Sequence, residues 1–121
     1  MTNNSKYDLE ERTAKLGESV ILLLKKIQPS DINKPLINQL VRCSTSVGAN
    51  YSEADDAESK EDFRHKIGIC KKESRETKHF LRMLAAANPE LKDQFRIIWQ
   101  EANEINLIFN SIFKKVSPFR H

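Results

Sequence analysis

An all-α fold, an antiparallel up-down-up-down four-helix bundle, is predicted by three observations. Apolar residues recur at alternating four- and three-residue steps in four stretches, which puts them on one face of a helix. No stretch alternates with the period of two that a half-buried strand requires. The stretches are separated by proline- or cap-marked turns, and short turns between long helices make antiparallel neighbours; a single extended coiled coil would lack them.

The first helix is expected over 9–27, with the seam Leu9, Thr13, Leu16, Val20, Leu23 and Ile27. Asp8 with Glu11 three residues later forms a capping-box-like start, and Gln28-Pro29-Ser30 ends it. The second helix is expected over 34–57, capped by Asn33, with Pro35 in its first turn, where a missing N–H costs nothing. Ser44-Thr45-Ser46 and Gly48 lower helix propensity, but the seam Leu36, Leu40, Cys43, Val47, Asn50, Ala54 and Ala57 stays in phase, so the helix is read as continuous. Ser59 with Asp62 opens a third helix over 60–87, with the seam Phe63, Ile67, Cys70, Ser74, Thr77, Leu81 and Leu84. Asn88-Pro89, an N-cap followed by an N1 proline, opens the fourth over 89–116, with the seam Leu91, Phe95, Ile98, Ala102, Ile105, Phe109, Ile112 and Val116. The chain is read as one domain, residues 1–121, with 1–6 and 117–121 expected to fray.

Composition narrows the function classes. At 121 residues and 39 % apolar content the chain can bury a core without staples. Its two cysteines, Cys43 and Cys70, sit on seams and form no CxxC pair, so they read as buried thiols. No leader-like or membrane-spanning run is present, and a cytoplasmic location is expected by default. With three glycines, no phosphate-cradling loop can be written. Glu76 and His79 have the Glu-x-x-His spacing of di-iron bundles, but no second such pair exists, so no metal or other cofactor is expected. No nucleophile with a base and an orienting partner can be assembled, and the chain is read as non-enzymatic.

The net charge of +3 is mild, so its distribution matters more than its size. One residue after the third seam, the helix carries Arg64, Gly68, Lys71, Arg75, Lys78 and Arg82. Such a basic stripe either tracks phosphates or is matched by acids on a neighbouring helix. Arg12, Lys15 and Lys26 of the first helix are further candidates. No aromatic interleaves the stripe, so stacking of single-stranded bases is not expected. Acids gather instead at the second turn, Glu53, Asp55, Asp56, Glu58, Glu61 and Asp62, a solvated tip or a contact for basic residues of a neighbouring subunit. The fourth helix has apolar residues on both flanks of its seam, Trp99 and Phe113 on one and Ile97 and Ile108 on the other, and the first adds Ala14, Gly17, Ile21 and Leu24. That surplus predicts self-association, with Trp99 as the residue to watch. Arg42 and Glu73 lie at similar distances from the second turn, so antiparallel pairing brings them level, with Glu76 close by. Asn50, polar on a seam, is expected as a buried anchor bonded through Ser46 or Glu53.

The segment Leu40 to Ala54, followed by Ser59-Lys60-Glu61-Asp62-Phe63 and by Lys71 to Thr77, resembles the bacterial four-helix-bundle proteins of the 23S rRNA intervening-sequence protein family. The resemblance is close over helices two and three and extends to one and four by pattern. Where an aromatic pair is expected after Glu76-Thr77, this chain has His79-Phe80. The resemblance implies a homopentameric barrel of bundles, as in the related accessory variability proteins of diversity-generating retroelements, which look like RNA and reverse-transcriptase binders. Its motif marks Arg42, Asn50, Glu53, Glu73 and Glu76, read here as structural. The expectation is an oligomeric module binding structured nucleic acid, RNA in preference to DNA, through Arg64, Lys71, Arg75, Lys78 and Arg82. The alternative is a protein-interaction scaffold whose stripe is consumed in subunit contacts.

Overall fold

The computed structural model describes residues 8–116; the segments expected to fray lie outside them. Four helices, α1 (Leu9–Leu24), α2 (Asn33–Asp55), α3 (Lys60–Ala87) and α4 (Lys92–Lys115), form an all-α bundle, and no strand occurs among the described residues. Each helix packs against its neighbours in a closed ring, α1 on α2, α2 on α3, α3 on α4 and α4 back on α1.

The seams meet along the bundle axis. Leu16, Val20, Leu40, Val47, Ile67, Leu81, Leu84, Phe95, Ile105 and Phe109 are almost wholly withdrawn from solvent. Each buried side chain of this size contributes about 1.5–3 kcal/mol. Polar seam positions are satisfied locally: Thr13 Oγ1 donates to the Leu9 carbonyl at 2.6 Å and Thr77 Oγ1 to that of Glu73 at 2.8 Å. Small residues set the α1–α2 distance, for a Cβ on Gly48 would lie 3.2 Å from Thr13 Oγ1.

Helix ends depart from expectation where the chain must turn. α1 stops at Leu24 and not at Ile27, because Lys26 and Ile27 donate to carbonyls three residues back as the chain approaches Pro29. α2 likewise ends at Asp55, its last turn tightened by Asp56 and Ala57 bonding to Glu53 and Ala54. Asn33 is the first residue of α2 and not its cap, and its amide donates to the Ser30 hydroxyl at 2.9 Å. Pro89–Leu91 form a 3₁₀ turn before α4. The side chains of Asn33 and Asn88, expected as caps, instead form a buried reciprocal pair, with Asn33 Nδ2 3.2 Å from Asn88 Oδ1 and Asn88 Nδ2 2.9 Å from Asn33 Oδ1. This pair ties the start of α2 to the end of α3.

Candidate nucleic-acid interface

The two long flanks of α3 carry opposite chemistry. Toward α2, Arg42 donates to Glu73 at 3.3 Å and to Glu76 at 2.7 Å, and Lys66 pairs with Glu53. Burial is uneven, the Glu73 side chain being 8 % exposed and that of Arg42 48 %. Hydrogen bonding to Glu76 raises the Arg42 pKa further above its ordinary range, and Glu53 does the same for Lys66. Asn50 is only half-buried and donates to the Ser46 carbonyl of its own helix at 2.9 Å, so it bonds through Ser46 but not across the bundle.

Toward α4 the cations meet rings and amides. The Arg64 guanidinium lies 3.7 Å above the Phe113 ring and Lys71 Nζ 4.4 Å from the same centroid. Lys78 Nζ donates to Asn103 Oδ1 at 2.9 Å and sits 5.5 Å from the Trp99 ring centre. Arg75 and Arg82 are exposed. Among the described residues, none of these five cations forms an ion pair. A groove of about 350 Å³ runs beside them, bordered by Lys71, Lys72, Arg75 and Lys78 on α3 and by Asn110 and Phe113 on α4. Gly68 admits the Phe113 ring, since a Cβ there would approach Phe113 Cε1 to 3.1 Å. Asn106 fixes the register, its Nδ2 donating to the Lys71 carbonyl and to Ser74 Oγ, both at 2.9 Å.

Two acids of α4 are turned away from this groove. Glu101 and Glu104 hold Arg12 of α1, Nε and Nη2 donating to Glu101 at 2.9 and 2.8 Å and Nη2 to Glu104 at 2.8 Å. Arg12 is therefore committed inside the molecule, its side chain 15 % exposed and its pKa raised by the bond to Glu101. Lys15 stays exposed beside Glu11 at 3.8 Å, and Lys26 donates to Gln94 at 3.1 Å.

Sequence reading placed Trp99 and Phe113 on one flank of α4 and missed that this flank is the one facing the stripe. The stripe does have aromatic neighbours, supplied by the adjoining helix. Asn103, Asn106 and Asn110 went unnoticed, and their three- and four-residue spacing along that same flank was the available signal. Of the surplus apolar residues, Gly17 and Leu24 are absorbed into the interior, while Ile21 and Ile97 remain 42 % and 67 % exposed; Leu22 and Leu107, outside that set, are exposed as well. Burial pushes the Cys70 thiol up to about 12 and raises that of Cys43, leaving both as neutral packing groups at neutral pH. Among the described residues no three His, Cys, Asp or Glu side chains converge on a point, and no helix is long and apolar enough to cross a membrane.

The family described as 23S rRNA-intervening sequence protein matches residues 5–111. A solved structure from Bacteroides thetaiotaomicron, a protein of unknown function from the S23 ribosomal protein family, superposes with a TM-score of 0.76 at 29 % identity, covering 88 % of this chain and 98 % of that one. No curated protein matches the chain.

Proposed function

The chain belongs to the 23S rRNA-intervening sequence protein family, and from that premise we propose that it is a non-enzymatic, cytoplasmic, homo-oligomeric module that binds structured nucleic acid, RNA in preference to DNA, along the α3/α4 groove. One observation carries this reading. Arg64, Lys71, Arg75, Lys78 and Arg82 line one face and form no ion pair among the described residues, while Glu101 and Glu104 of α4 are held by Arg12 and Glu53 of α2 by Lys66. By the α-helical rise these cations span about 27 Å. A ridge of that kind neutralises successive phosphates and gains affinity by releasing counterions, so binding weakens steeply with salt.

The test is fluorescence anisotropy with an RNA hairpin and a DNA duplex at low and moderate salt. Reversing Lys71, Arg75 and Lys78 to Glu is expected to weaken binding at least about 100-fold at low salt and to flatten the salt slope by two or three contacts. Absence of binding by the unmodified protein at low salt, or indifference to the triple reversal, overturns the reading.

A second reading is supported by the acidic turn, where Asp55, Asp56, Glu58, Glu61 and Asp62 also make no ion pair among the described residues. In an oligomer, pentameric by resemblance, that tip would meet the stripe of the next subunit and leave a scaffold for another polypeptide, such as a reverse transcriptase. Light scattering separates the two readings. Salt that dissociates the oligomer favours the scaffold, an oligomer indifferent to salt favours the nucleic-acid module, and a stable monomer removes the assembly from both.

A further inference from the structure

Above the basic groove, toward the α3–α4 turn, a second cleft of about 490 Å³ opens between the two helices. Its apolar lining is Leu81, Ala85, Phe95 and the half-buried Trp99. Exposed Arg82, Lys92, Arg96 and Gln100 complete it, and no carboxylate lines it. The volume falls in the range of small-ligand sites, and an apolar cavity edged by a few charges of one sign is suited to a ligand with a flat apolar part and an anionic part. None of the three cations forms an ion pair among the described residues.

The contrast with the lower groove selects the ligand. There the Phe113 ring already carries Arg64 at 3.7 Å and Lys71 at 4.4 Å, so protein cations occupy the aromatic surface. Trp99 has only Lys78, at 5.5 Å and tethered to Asn103, and its indole lines open space. Resting on the nucleic-acid reading above, we propose that the Trp99 cleft takes one unpaired nucleotide of the bound strand, its base against the indole and its phosphate on Arg82, Lys92 and Arg96. The lower groove then tracks backbone alone, and the upper cleft requires an unstacked base. The preferred ligand is a helical segment that runs into a single-stranded one.

Trp99 is the only tryptophan in the chain, so its emission reports on the cleft directly. The full-length protein is titrated with a single-stranded adenine oligoribonucleotide, an abasic strand of equal length and a blunt RNA duplex, with anisotropy of end-labelled strands reporting binding independently. The adenine strand is expected to quench Trp99, while the abasic strand and the duplex bind without quenching. Trp99→Leu should weaken adenine-strand binding about tenfold and leave abasic binding unchanged, with Trp99→Phe restoring most of the loss. Arg96→Glu should reduce quenching while helix content by circular dichroism is unchanged. If the adenine strand binds without quenching, or Trp99→Leu weakens both strands equally, the cleft proposal falls and the nucleic-acid reading stands. If none of the three nucleic acids binds, both fall. Equal quenching by a glutamate-rich peptide would overturn the nucleotide assignment in favour of a protein ligand.

Discussion

α3 is held to α2 and to α4 by different physics. At the α2 seam Arg42 pairs with Glu73 and Glu76 and Lys66 with Glu53, so the positive charge is neutralised where it is created. At the α4 seam the cations rest on Phe113 and beside Trp99, or donate to the Asn103 amide. A ring or an amide orients a cation without neutralising it. α4 does not lack acids, but it presents Glu101 and Glu104 to Arg12 on its other side. The retained positive charge is thus a consequence of which flank of α4 carries its carboxylates, and a net charge of +3 understates it.

The largest expected effect on folding lies at the paired seam. Burial in this pair is asymmetric: Glu73 is the enclosed partner, and Arg42 is half in solvent with Glu76 still in reach. Arg42→Ala should therefore cost about 2 kcal/mol by leaving a carboxylate enclosed and unpaired. Glu73→Gln should cost less than about 1 kcal/mol. Urea denaturation of both variants checks the order, and Glu73→Gln proving the more damaging would break it. Neither change should alter nucleic-acid affinity, since neither side chain lies on the α4 flank.

At the unpaired seam the expected effect moves from stability to binding. Phe113→Leu keeps apolar volume over Gly68 but removes the ring on which Arg64 and Lys71 rest. Stability should change by no more than about 1.5 kcal/mol, since Phe113 is only half-buried and leucine keeps an apolar side chain there. Affinity for an RNA hairpin should fall about fivefold because two cations lose their fixed placement. Thermal melting and anisotropy on the same sample separate the two, and unchanged affinity would mean the ring is only packing.

The sequence carried the helices, their seams and the sorting of charge, because each depends on residues three or four apart in one chain segment. It carried the Arg42–Glu73 level as well, since a short turn fixes how α2 and α3 run past each other. Less legible was what meets the other flank of α3. If the Glu73 flank faces α2, the opposite flank must face α4 in a four-membered ring, which places Arg64, Lys71 and Lys78 against Phe113, Trp99 and Asn103. Heptad spacing alone gives neither the hand of the ring nor the register of α4. That register depends on Asn106 reaching the Lys71 carbonyl and Ser74 Oγ, a bond between residues distant in sequence.

Asn50 and Asn106 give the smallest effect and the finest separation of the two seams. Asn50 sits on a seam and Asn106 beside one, yet Asn106 is 5 % exposed and bonds across to α3, whereas Asn50 is half-buried and bonds one turn back in α2. A polar side chain specifies packing only when its partner belongs to another element, because only then does an alternative register leave it unsatisfied. In Asn50→Leu the Ser46 carbonyl keeps its helical bonding, no partner on another helix is stranded, and the new side chain can spread over partly exposed apolar surface. Stability should stay within about 0.5 kcal/mol of the parent or rise slightly. Oligomer mass by light scattering should not change. Destabilisation beyond about 1.5 kcal/mol, or a shift in oligomer mass, would mean that Asn50 makes an intermolecular hydrogen bond in the assembled protein, and the α2 face would then join the α3/α4 groove as a surface where the molecule meets a partner.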